Sequence, residues 1–407
     1  MGAARSLRLL GDAPEPKTRP RFAVLGKGFR PFFLIAACFA AAIVPLWLLI
    51  QGGVIPTMGA MEPAVWHAHE MIFGFSVAVI AGFLLTAVAN WTGRETLTGA
   101  PLFALAALWV LGRAGMALAG VLPAGGPAVA DLAFLPALTL ALARPLIATG
   151  NRRNFVLIAI LSALFAANLV VHLASLGVLP GGLARRALVA GLDAVLVVVA
   201  IILGRVLPTF TRNATQAPQI RSIAWLDVAS VASMAALAIV DALGLEGRAV
   251  SIAAGVAATL AAGRATHWGA LRTRRHPLLW ILHAGHAWFV SGLALRAAAS
   301  VLPSIPTSSA THALTVGAVG SLTLGMMARV SLGHTGRSLA ASPAMTWAFA
   351  AVSAAGILRV FLPWMLPPSA YHGALVAAGA LWSVAFAAFV VDYARLLLTP
   401  RADGKAG

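Results

Sequence analysis

Ten histidines stand in a chain of 407 residues that holds two tyrosines and a single cysteine, Cys38. Imidazole is the commonest side chain for holding transition metals, and a lone thiol excludes both a disulfide framework and a thiolate metal site. Any metal must then be held by imidazole, carboxylate or thioether. The densest group is at residues 66–70, where Trp66, His67, His69 and Glu70 head an almost wholly apolar run that closes at Asn90, Trp91, Thr92, Gly93 and Arg94. A run of that length spans a bilayer as a helix, with Trp66 and Trp91 at belt positions. Ionisable groups at its head are costly there and are usually kept for a purpose.

The elements that must position these groups are all of one kind. The chain is 60% hydrophobic and 10% charged, with a mean hydropathy of +0.90, which belongs to an all-α polytopic membrane protein and excludes a soluble domain. Twelve apolar runs are expected as transmembrane helices: 29–51, 65–89, 100–121, 127–149, 155–178, 186–208, 222–243, 249–268, 277–301, 308–332, 344–366 and 369–397. Residues 1–28, basic and Pro-rich without an apolar run, read as a cytoplasmic tail, and 400–407 as a second. The formal net charge of +17 does not signal nucleic acid. With alternate loops inward, 23 of the 29 Lys and Arg fall on the cytoplasmic side, Arg113 and Arg359 lie within spans, and only Arg185, Arg186, Arg248 and Arg296 fall outside, as the positive-inside rule requires for cytoplasmic termini.

This orientation sorts the histidines by depth. His67, His69, His172, His312 and His372 lie toward the outer face; His267, His276 and His334 lie toward the cytoplasm; His283 and His286 are near mid-membrane. Laying His69 to Arg94 over His312 to Arg337 without gaps pairs His69 with His312, Gly74 with Gly317, Gly82 with Gly325, and Thr92 to Arg94 with Thr335 to Arg337. The sixth run ends with a fainter likeness, at Arg205, Thr211 and Arg212. The second, sixth and tenth spans then become equivalent inner helices of three four-helix arcs with pseudo-threefold symmetry. Imidazoles on two facing helices are the arrangement that grips a haem iron from both sides, and His69 with His312 is the expected pair. The paired glycines suit a flat macrocycle or a closely packed helix.

His67 and His69 are about 200° apart on a regular helix, so one of them faces the haem and the other is free for a second metal or a propionate. His172 is the best further ligand. Glu70 is a candidate proton carrier or salt-bridge partner. His283 and His286 share one helical face at the i, i+3 spacing and suit a divalent or cuprous ion. Arg205, Arg212, Asn213, Arg329, His334 and Arg337 form a positive rim at the cytoplasmic ends of the inner helices, suited to propionates or an anion.

FRPFFL at 29–34, WHAHEMIFGF at 66–75, GFLLTAVANWTGR at 82–94, LPTFTRNA at 207–214, HPLLWILHAGHAW at 276–288 and TLGMMARVSLGHTGR at 323–337 together resemble the NnrS family of bacterial membrane proteins. The resemblance implies a twelve-span inner-membrane protein that contains haem, of the b type, and copper. It implies a place in the response to nitric oxide and nitrosative stress, often beside denitrification, without a settled reaction. Its motifs fall on His67, His69, Glu70, Arg212, His283, His286, Arg329 and His334.

The expected architecture is also similar to subunit I of haem-copper oxidases and nitric oxide reductases. The departure is in residues 186–208, which contain no histidine, and in the placing of Tyr371 and Tyr393 in or beside the last span. Three readings follow. One is a haem and copper protein that binds or processes nitric oxide or its iron complexes, as an oxidoreductase if it is an enzyme. Another is a transporter of a metal or small anion, lined by Arg113, Asp131, Asp193, Arg296, Arg359 and the histidines. The third is a non-catalytic partner of a redox complex. The chain carries no soluble redox domain, so electrons would come from quinol or a redox partner.

Overall fold

The computed structural model describes residues 23–404 except residue 124. Most of the expected N-terminal tail, and residues 405–407, lie outside the described residues. Every regular element among them is helical. Twelve long helices follow in chain order: α1 (Phe29–Gln51), α2 (Pro63–Thr92), α3 (Gly99–Ala117), α4 (Gly126–Ala148), α5 (Phe155–Ser175), α6 (Gly182–Thr215), α7 (Ala224–Ala242), α8 (Arg248–Ala265), α9 (Pro277–Ala299), α10 (Thr307–His334), α11 (Pro343–Met365) and α12 (Pro368–Leu398). They match the twelve apolar runs one to one, within a few residues at most ends. Eleven of them are long and apolar enough to cross a membrane; α8, with 18 residues and Arg248 and Arg264 near its two ends, is the exception. The chain is a multi-pass all-helical membrane protein.

Local chemistry sets several of the ends. Pro63, Pro277 and Pro343 open α2, α9 and α11 at the position where a missing N–H costs nothing. Ser342 caps α11 by accepting from the Met345 amide at 3.0 Å. Gly93, at φ 64°, ends α2 in the left-handed conformation that favours glycine.

Sequential helices pack side by side and α12 closes against α1. The three most buried spans are α2, α6 and α10, with 83%, 78% and 72% of their most apolar stretch buried, and they form the centre of the bundle. Trp66 is therefore only 2% exposed and serves the core, where an aromatic belt was expected.

Two of the inner helices share a local feature. Each widens into a π-helical segment directly after its histidine: Glu70–Ser76 after His69, and Ala313–Gly320 after His312. Such segments are uncommon and tend to occur at functional sites. The glycines paired in the sequence also act alike, and they admit a neighbouring helix. A Cβ at Gly74 or Gly82 would press on Phe39 or on Phe32 and Phe33 of α1; one at Gly317 or Gly325 would press on Trp288 or on Ile281 and Leu282 of α9. Each pair thus receives the helix that precedes its own. The 34-residue α6 runs without a π segment.

At the end of the bundle away from His67 and His312, Arg30 is fully buried and donates to the carbonyls of Leu397 at 2.9 Å and Thr399 at 2.7 Å, covering the last turn of α12. Arg30→Ala leaves those carbonyls without a donor in a closed site. It is expected to cost about 3 kcal/mol, read as a fall in the thermal midpoint of the detergent-solubilised protein.

Candidate metal and cofactor site

Pro63 starts α2 so that the first two turns carry His67, His69 and Glu70. These turns are regular, and the two histidines point to opposite sides as their spacing requires. His69 turns toward α3, α4 and α5; His67 turns toward the centre of the bundle.

The side of His69 is a closed polar cluster. His69, Glu70, Arg113 of α3, Asp131 of α4, and Asn168 and His172 of α5 are each no more than 8% exposed. The Nδ1 atom of His69 lies 2.9 Å from Glu70 Oε1, although adjacent residues on a regular helix diverge. The π segment begins at Glu70, and Arg113 draws its carboxylate in at 2.5 Å. Arg113 also pairs with Asp131. Gly112 allows this, because a Cβ there would sit 3.1 Å from the Asp131 Cα and hold α4 away. Asp131 Oδ2 meets His172 Nε2 at 2.9 Å, His69 Nε2 at 3.2 Å and the Asn168 amide nitrogen at 2.7 Å.

Proton counting shows what this cluster lacks. If His69 donates from Nδ1 to Glu70, its Nε2 lone pair faces two acceptors, Asp131 Oδ2 and Asn168 Oδ1, the latter at 2.9 Å. With both imidazoles neutral, two carboxylates stand against one guanidinium. One positive charge is missing, and a proton on Nε2 or a metal ion would supply it. His69, Asp131 and His172 each offer a ligand atom, all within 4.8 Å of one another, as a metal site needs. Glu70 then fixes the imidazole that presents Nε2, the usual part of a carboxylate behind a ligating histidine.

The side of His67 is a cavity of about 720 Å³ between α1, α2, α6, α10 and α12, with Arg296 of α9 and Arg359 of α11 also in its wall. His67 and His312, from two of the inner helices, both line it. The His67 ring is stacked on Trp47, with centroids 4.5 Å apart and planes at 14°. Its Nδ1 is buried without a partner. The Nδ1 of His312 lies 2.7 Å from the Ser308 carbonyl, which fixes the tautomer and leaves Nε2 as the acceptor. Most of the wall is apolar, including Val44, Leu48, Ile72, Leu192, Val316 and Trp382, while Arg185, Arg296 and Arg359 bring positive charge. A mostly apolar chamber with a few fixed polar groups is the usual form of a cofactor pocket.

The expected pair His69 and His312 is therefore not brought together. His67 shares the cavity with His312, and His69 is instead joined to His172. Asp131, Arg113 and Asn168 were not read as members of this cluster. The first two stood out as ionisable residues inside apolar spans, but only the packing of α3 and α4 on α2 assigns them their partners. Tyr371, placed by the sequence in or beside the last span, lies in the cavity wall.

The remaining residues singled out in the sequence lie elsewhere. His283 Nε2 bonds Thr211 Oγ1 at 2.9 Å, and His286 Nε2 bonds the Ala261 carbonyl at 3.0 Å. Their i, i+3 spacing holds, but the two rings serve different partners. His334 packs its ring on Phe29 with centroids 5.6 Å apart. The Arg329 guanidinium lies over Phe210, 4.1 Å from the ring centre, and Arg212 is exposed. Twenty-two residues separate His334 from His312 along α10, roughly 30 Å at helical rise, so this group belongs to the opposite end of the bundle.

Compared with known families, residues 23–401 match the model described as NnrS protein, nearly the whole chain. The chain belongs to the NnrS family. Membership fits a membrane protein of the nitric oxide response. No curated protein matches the chain. In this NnrS protein, His69, Asp131 and His172 form a group whose donors could hold a metal ion, and the cavity between His67 and His312 has a volume of about 720 Å³.

Proposed function

We propose that this NnrS protein holds haem in the central cavity and copper at the cluster of His69, His172 and Asp131, and that it binds or processes nitric oxide in the bacterial inner membrane, with both termini cytoplasmic. The observation that carries this reading is that His67 and His312, on two inner helices, line one cavity of about 720 Å³. The residues fit the group. The imidazole of His312 is held through Nδ1 with Nε2 left to coordinate, His67 has an unpartnered buried nitrogen, and the apolar wall accepts a macrocycle. Haem iron, when bound, supplies the affinity for nitric oxide.

The chain's own residues supply the rest. Trp47 fixes the plane of His67, and Ser308 fixes His312. Arg359, which donates to Ser308 Oγ at 2.7 Å, and Arg185 and Arg296 are the cations that propionates would meet. Around His69, copper takes the place of the missing positive charge, with Glu70 and Arg113 holding the ligand set in position. Glu70, given to both Arg113 and His69, is a positioning residue in this reading.

Optical spectra of the purified protein, oxidised, reduced and reduced with nitric oxide, together with metal analysis of the same sample, test this. A haem spectrum that shifts with the gas and comes with stoichiometric copper is the expected result. Colourless, metal-free protein from haem-replete cells would overturn it and return the cavity to a transport pathway. The copper assignment has its own check: the double variant His283→Ala, His286→Ala is expected to retain wild-type copper, because both rings are engaged by Thr211 and Ala261. Copper lost from that variant would move the metal to α9.

A further inference from the structure

A second buried charge cluster stands directly behind the cavity wall. Arg296 of α9, which lines the cavity, donates to Asp193 of α6 at 2.7 Å through one nitrogen and to Asp241 of α7 at 2.5 Å through another. Asp193 is wholly buried and Asp241 is 8% exposed. Arg296 thus bridges the two carboxyls and brings them into one charge cluster. Asp193 Oδ2 is buried with no donor.

Two ionised carboxylates against one guanidinium would leave an uncompensated negative charge on buried groups, which costs several kcal/mol. An orphaned carboxylate oxygen next to a second carboxyl is where a proton removes that charge and makes a hydrogen bond at the same time. Among the described residues the pair belongs to no group of three or more metal-ligating side chains. We propose that Asp193 and Asp241 share one proton and form a proton-holding site coupled to the cavity through Arg296. Charge entering the cavity acts first on Arg296, and the proton is the mobile partner that answers it. The shared proton follows from these three side chains whichever group the cavity binds.

The test is infrared spectroscopy of the full-length protein in lipid, following the carbonyl stretch of a protonated carboxyl and its shift in D2O, with 13C-aspartate labelling to separate aspartate from glutamate. The wild type is expected to show one aspartic acid band. Asp193→Asn and Asp241→Asn should each abolish that same band, because either change leaves one carboxylate balanced by one guanidinium. Asp131→Asn should leave it unchanged, and Arg296→Gln should roughly double it, as both carboxyls then lie without a cation. Absence of any aspartic acid band in the wild type, a reading that needs no variant to fold, would overturn the proposal. So would a band that survives in either single aspartate variant, or one lost only with Asp131.

Discussion

Alanine at His312 or at His67 is expected to remove haem from the purified protein or to convert its spectrum from six- to five-coordinate, while the bundle stays folded. Both side chains line a cavity and neither bridges two helices by a salt bridge, so truncation enlarges a chamber that already exists. The cost in stability should therefore be small beside the effect on binding. The loss of haem should exceed the 10- to 100-fold that removal of an outer partner typically costs a metal site, because the side chain proposed to hold the iron would itself be deleted. Ser308 cannot be tested through its side chain, since its backbone carbonyl holds His312. Trp47→Ala is the graded control: it frees the His67 ring and should weaken haem without abolishing it. Unchanged spectra in both His67→Ala and His312→Ala would remove the haem from this cavity.

Asp131→Ala is expected to have the largest effect on the fold. Its carboxylate is the common partner of Arg113, His69, Asn168 and His172. Its loss leaves Arg113 buried with one carboxylate instead of two and takes the acceptor from Asn168 and His172. Breaking a buried pair from one side typically costs about 3–5 kcal/mol, and a fall in the thermal midpoint would report it. Asp131→Asn separates the two roles. It keeps the size and one acceptor oxygen but removes the charge, so copper should be lost at a smaller cost in stability. His172→Ala should lose copper as well. Metal analysis of these two variants decides the site, and wild-type copper in both would show that the cluster serves only to join α2 to α5.

How far the sequence carries the site is clearest at His67 and His69. Their separation of two residues dictates that they face opposite ways, and this is how the structure places them. Which way each faces is not a property of α2. It follows from α3 and α4 packing on one side, made close by Gly112, and from α10 coming up on the other. The relation between Glu70 and His69 was hidden for a different reason. A regular helix separates neighbours by 100°, and the π segment that begins at Glu70 departs from that rule.

The sequence by itself determined the all-helical membrane character, the positions of the helices, the kinship with the NnrS family and the kind of residue that would hold a metal. These are local or additive properties: apolar length makes a span, and residue type sets ligand chemistry. The likeness of the histidine-bearing ends of α2 and α10 was also legible there, as a repeat of glycines and one histidine. Only the tertiary structure decided the partnerships. Asp131, Arg113 and His172 come from three helices distant in sequence, and their meeting at His69 depends on interhelical packing that no spacing encodes. The same is true of the cavity, since an enclosed space is defined by helices that face it and not by any one of them.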